Sequence, residues 1–73
     1  MKVKVVVEKE IEIEINDNGF IAWAESFEME NQRKAIDAVE KAIGLPFGCK
    51  DETTTEYIVG VYTATDEAPI LQW

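Results

Sequence analysis

Seventy-three residues carry fifteen acids, seven bases and no histidine, for a formal net charge of −8. A chain of this length is expected to form one domain, residues 1–73, near the lower size limit for an independent core. At 47% hydrophobic and 30% charged it has a globular rather than a disordered composition. The acidity argues against direct nucleic-acid binding and against docking to anionic membranes, since both draw on Lys and Arg.

The first run alternates. Val3, Val5, Val7, Ile11, Ile13 and Ile15 share one parity, and Lys2, Lys4, Glu8, Glu10, Glu12 and Glu14 share the other. Side chains alternate faces along a strand, so residues 2–15 read as half-buried β-structure. The run exceeds the usual strand length and Lys9 falls on the apolar parity. It is therefore either one bent strand or two. A bulge or bend near residues 8–10 is preferred over a tight turn, because no Gly, Asn or Pro stands there.

Asn16-Asp17-Asn18-Gly19 reads as a hairpin turn, Asn-Gly being suited to the positive φ angles such a turn needs. A second strand is expected over residues 20–24, continuing toward residue 29 because Phe27 and Met29 keep the parity of Ile21 and Trp23. The same turn spans an EF-hand-like spacing: Glu14, Asn16, Asn18, Gly19 and Glu25. The flanking alternation is strand rather than helix, and the hairpin reading is preferred.

From Asn31 the period becomes helical. Ile36, Val39 and Ile43, with Ala35 and Ala42, oppose Arg33, Lys34, Asp37, Glu40 and Lys41. Asn31 and Ser26 compete as the N-cap; Gly44 suits the C-terminus, and Pro46 blocks continuation. Residues 45–52 read as a loop and residues 53–65 as a strand. Asp66-Glu67-Ala68-Pro69 reads as a turn and residues 70–73 as a short last strand. The expected fold is α+β, a β-β-α-β(-β) antiparallel sheet with one helix packed on one face.

Chemistry is scarce. Without His, the neutral-pH proton shuttle and His-containing zinc sites are missing. Ser26 and the threonines at 53, 54, 55, 63 and 65 have no histidine base to activate them, so no enzyme, metal or cofactor is expected. Cys49 is the single cysteine, and no secretory leader or membrane-spanning run appears, so the expected location is cytoplasmic.

Two features point to binding. Glu8, Glu10, Glu12 and Glu14 form a row of carboxylates on one strand face, spaced at roughly 6.8 Å, a scale comparable to charges along a nucleic-acid backbone. The bland reading is a solvated face that also prevents edge aggregation. Trp73, beside Ile70 and Leu71, is a candidate interface anchor, because Trp is enriched at hot spots; packing into the core is the alternative. Tyr57 and Tyr62 have opposite parity, so one of them faces away from the helix.

Residues 17–23 (DNGFIAW) followed by residues 33–43 (RKAIDAVEKAI) resemble the small HicB-like antitoxin module, over about residues 3–43. The resemblance implies inhibitory binding to a small RNase toxin and transfers no individual contact residue. Size, acidity and layout are also similar to small phage-encoded inhibitors such as anti-CRISPR proteins. The expected function is therefore a non-enzymatic acidic module that inhibits a partner with a basic surface, such as a nucleic-acid-handling enzyme, through Glu8, Glu10, Glu12, Glu14 and Trp73. The alternative is a homo-oligomeric structural or accessory protein, a homodimer included.

Overall fold

A computed structural model describes residues 1–65 and 68–73. Among these described residues six elements follow in chain order: β1 (Lys2–Val6), β2 (Glu10–Glu14), α1 (Asn18–Ser26), α2 (Met29–Ile43), β3 (Gly60–Thr63) and β4 (Pro69–Gln72). The fold is α+β. Its four strands form one antiparallel sheet in the order β2-β1-β3-β4, and both helices pack on the same apolar face.

The alternating run is two strands. One strand of fourteen residues would reach about 45 Å, longer than the 33 Å maximum extent of the molecule. The chain instead doubles back through Val7-Glu8-Lys9, pairing Val3 with Ile13 and Val5 with Ile11. The expected bulge or bend is thus a tight connection, made without any residue at positive φ. Both apolar sets stay on one face because the pairing register keeps their parity.

The expected second strand is a helix. Asp17 is extended and its carboxylate accepts from the Phe20 N–H at 3.1 Å, capping α1. Phe20, Trp23 and Phe27 then recur at helical spacing, and Phe20 and Trp23 are buried. The Asn-Gly signal is overridden because Gly19 is not left-handed; it lets two helices approach. A Cβ there would lie 2.7 Å from the Lys34 Cβ. Both helix-start candidates are also corrected. Ser26 ends α1, donating to the Ala22 carbonyl at 2.9 Å. The chain then turns through Phe27 in the left-handed region, and α2 begins after Glu28, whose carbonyl accepts from Asn31 N–H at 2.8 Å. Gly44 ends α2 at φ 81°, as the sequence suggests.

The strand expected over residues 53–65 is shorter, only Gly60–Thr63, with an isolated parallel bridge between Phe47 and Ile58. Asp51 explains the difference: its carboxylate takes the Thr53 N–H and both the Thr53 and Thr54 hydroxyls, curling the chain into a loop. The last strand runs Pro69–Gln72, and within the expected turn Asp66 and Glu67 lie outside the described residues.

Val3, Val5 and Val61 from the sheet meet Phe20, Trp23, Ala35 and Val39 from the helices to form the core, closed by Ile15, Ile58, Ile70 and Leu71. Register shifts between Val61 and Tyr62, whose partners are Leu71 and Pro69, so Ile70 is the extra residue of a bulge. Its freed carbonyl accepts from the Trp23 indole N–H at 2.7 Å. No helix among the described residues is long and apolar enough to cross a membrane.

Candidate functional site

β2 is an edge strand, and it presents Glu10, Glu12 and Glu14 on the sheet face opposite the helices, all three exposed. Behind them β1 runs antiparallel, setting Lys2 across from Glu14 and Lys4 across from Glu12. Cross-strand neighbours of opposite charge attract. The Lys4 ammonium reaches Glu10 at 3.7 Å, and the Met1 amino group lies 2.8 Å from a Glu14 oxygen. The carboxylate row is thus one half of a double row, acidic at the edge and basic one strand inward. Parity predicts its alignment, but only the fold-back reveals the lysines beside it.

Glu8 departs from the row. It sits exposed in the β1–β2 connection, where Val7, Glu8, Thr55, Glu56, Tyr57 and Val59 line a shallow groove of about 180 Å³. Trp73 stands at the opposite edge of the sheet, with β1 and β3 between it and β2. Its N–H donates to the Val59 carbonyl at 3.1 Å, and its ring lies over Gly48 and edge-on to Tyr57, centroids 5.4 Å apart. With the residue 64% exposed, it is neither a core residue nor a free side chain. The five predicted site residues therefore separate: Glu10, Glu12 and Glu14 lie on one edge, Trp73 on the other, and Glu8 shares a groove with Tyr57, whose ring meets Trp73.

Tyr62 is the tyrosine that faces away from the helices. Its ring lies against Gly60, and its hydroxyl accepts from the Gln72 amide at 3.2 Å. It is half-buried in the middle of the outer face, beside Lys4.

Sequence reasoning misses the α1–α2 junction. Phe27 and Met29 are 49% and 71% exposed and alternate with Glu25, Glu28 and Glu30, all exposed. Periodicity gives no warning of it: Met29 stands seven residues before Ile36 and so falls on the apolar stripe of α2, and it is exposed because it opens the helix, ahead of the buried Ala35 and Val39.

Asp51 gathers a polar network of its own. Hydrogen bonds from the Thr53 hydroxyl and N–H, supported by Thr54, hold its carboxyl below its ordinary pKa of 3.8. A carboxylate stabilised in this way is a poor general base, because favouring the charged form lowers its proton affinity. Nearby, the Cys49 thiol donates to the Asp51 carbonyl at 3.3 Å. Among the described residues no three His, Cys, Asp or Glu side chains converge as a metal site.

Comparison with known proteins adds no relative. No family model, no curated protein and no solved structure matches the chain. The functional reading therefore stands on the chain's own residues.

Proposed function

We propose that the protein is a non-enzymatic, acidic binding module that docks on the basic surface of a protein partner, such as a nucleic-acid-handling enzyme, and blocks it. The observation that carries this reading is the alignment of Glu10, Glu12 and Glu14 along an open sheet edge, on a chain of net charge −8. Ordered like charges steer association and complement a cationic groove. An antitoxin-like and a phage-inhibitor-like role are two biological forms of the same physical act. Glu8 extends the acidic surface around the β1–β2 connection, and Trp73 offers a separate apolar contact held in place by Gly48 and Tyr57.

The test is competition. The immobilised protein is exposed to a set of purified basic nucleases, polymerases and helicases at low ionic strength. The reading expects one of them to be retained, to be inhibited stoichiometrically, and to be released by salt or by duplex nucleic acid. Replacing Glu8, Glu10, Glu12 and Glu14 together by Gln should abolish retention. Unchanged retention by that variant would overturn the electrostatic account.

The other edge favours a second reading. β4 carries no charged residue, and it ends beside exposed Trp73. Uncharged edges invite pairing between copies, which would make the protein a homo-oligomeric structural or accessory subunit. Sedimentation distinguishes the two: a salt-insensitive dimer supports the second reading, whereas an acidic monomer supports the first.

A further inference from the structure

The register of the β1–β2 ladder fixes which backbone groups of β2 are open. Met1 N donates to the Ile15 carbonyl at 3.1 Å, and Ile15 N–H donates to the Met1 carbonyl at 2.9 Å, so Met1 and Ile15 form a hydrogen-bonded pair. Such pairs alternate with non-bonded ones in an antiparallel ladder. Val3–Ile13 and Val5–Ile11 are therefore the bonded pairs, while Glu14, Glu12 and Glu10 stand opposite Lys2, Lys4 and Val6 without exchanging bonds. The N–H and C=O groups of these three glutamates consequently aim away from β1, toward the open edge of the sheet. The residues that carry the exposed carboxylates are the same ones that carry the open hydrogen-bonding groups.

On the other face of the same edge, Ile11 and Ile13 are only half-buried. Ile11 forms one wall of a cavity of about 300 Å³ that Val7 and Leu45 also line, with Glu8, Lys9 and Glu56 as its charged members. An added strand would bring one face against the glutamates and the other alongside these isoleucines.

We infer that the open edge of β2 accepts an extended segment of a protein partner in which Lys or Arg alternates with aliphatic residues. This is strand addition, in which the backbone supplies affinity and alternate side chains supply selectivity. Cations of the incoming strand sit across from Glu10, Glu12 and Glu14, and its aliphatic residues extend the apolar surface of Ile11 and Ile13. β1, Lys-Val-Lys-Val-Val, already satisfies this pattern on the inner side of β2. A second copy is a poor occupant: β1 is paired on both sides, pairing β2 with β2 sets Glu against Glu, which is repulsive, and β4, the other open edge, is Pro-Ile-Leu-Gln and brings no cation to the glutamates. The inference rests on the acidic-module reading and names the element that such a partner would contribute.

The probe is a short, capped peptide of alternating valine and lysine. Controls are the same composition in two blocks and a valine–glutamate alternation. With the peptide at about ten times its Kd, exchange of the Glu10, Glu12 and Glu14 amides should slow about tenfold, and the Ile11 and Ile13 methyl resonances should shift. The block peptide should perturb side-chain carboxylates without protecting these amides, and the valine–glutamate peptide should do neither. Glu12→Pro removes one edge donor without touching a bond to β1, so the alternating peptide should lose its protection while Trp23 fluorescence is kept. The exchange pattern of the unaltered protein decides the matter even if that variant fails to fold. Equal protection by both lysine peptides, or none by either, overturns strand addition. If the protein still retains a basic enzyme through its glutamates in that case, the acidic-module reading survives; if it retains none, both fall.

Discussion

The Trp23 indole N–H lies 2.7 Å from the Ile70 carbonyl, joining residues 47 positions apart in a buried hydrogen bond. It fastens α1 to the bulge of β4, where the extra residue leaves a carbonyl outside the ladder. Trp23→Phe keeps an aromatic ring but removes the donor. The stranded carbonyl should lower the unfolding free energy by about 1–3 kcal/mol. Urea denaturation followed by circular dichroism measures this, and an unchanged midpoint would mean that the bond contributes nothing.

Gly19 makes the second joint. A Cβ at this position would meet the Lys34 Cβ at 2.7 Å and an Asp17 oxygen at 3.2 Å. In an isolated helix, Gly→Ala gains up to about 1 kcal/mol. Here overpacking between α1 and α2 should outweigh that gain, for a net loss of about 1–2 kcal/mol. A stabilised Gly19→Ala protein would show that the helices can separate at little cost.

These two joints explain what was legible and what was not. The apolar faces of β1, β2 and α2 follow directly from period, and Gly44 marks the end of α2. The segment Phe20-Ile21-Ala22-Trp23-Ala24 is a short apolar run, for which periodicity cannot separate strand from helix. The Asn-Gly pair favours a hairpin locally, whereas the decisive facts are nonlocal: the Trp23 bond to Ile70 and the close passage at Gly19. The same division holds for the site. Parity alone aligns Glu10, Glu12 and Glu14, but the flanking lysines require the fold-back, and the distance to Trp73 requires the strand order.

Asp51 gives a pH dependence with a definite sign. Its carboxyl is held below 3.8 by bonds from Thr53, then Thr54. A depressed folded-state value means that the stabilisation is present at neutral pH and is lost as pH falls through the folded-state value. The titration midpoint of the Asp51 carboxyl carbon should lie below 3.8, with the Thr53 amide shift tracking it. In Asp51→Asn the acid-dependent change at Thr53 should vanish. A midpoint at or above 3.8 would contradict the bonding.

Trp73 depends on a glycine beneath it. Gly48 has φ 81°, and a Cβ there would overlap the indole ring. Gly48→Ala should therefore strain the backbone and dislodge Trp73, costing more than Trp73→Ala itself. Removing the edge-to-face contact with Tyr57 should cost about 0.5–1.5 kcal/mol. Denaturation of both variants tests this ranking, and equal losses would show that the left-handed backbone at residue 48 adds no strain of its own.

The carboxylate row should matter little for folding. Glu10 and Glu14 make ion pairs on the surface, and exposed pairs contribute about 0–1 kcal/mol each. Replacing Glu10, Glu12 and Glu14 by Gln removes those attractions and also relieves repulsion among neighbours on the same strand. The two effects oppose, so stability should change by less than about 1 kcal/mol, and any difference should shrink as salt screens both. Urea denaturation at low and high ionic strength provides the measurement. A loss above about 2 kcal/mol, beyond what exposed pairs supply, would mean that the row holds β2 in place. Loss of binding in the glutamine variants would then reflect damage to the edge rather than loss of charge.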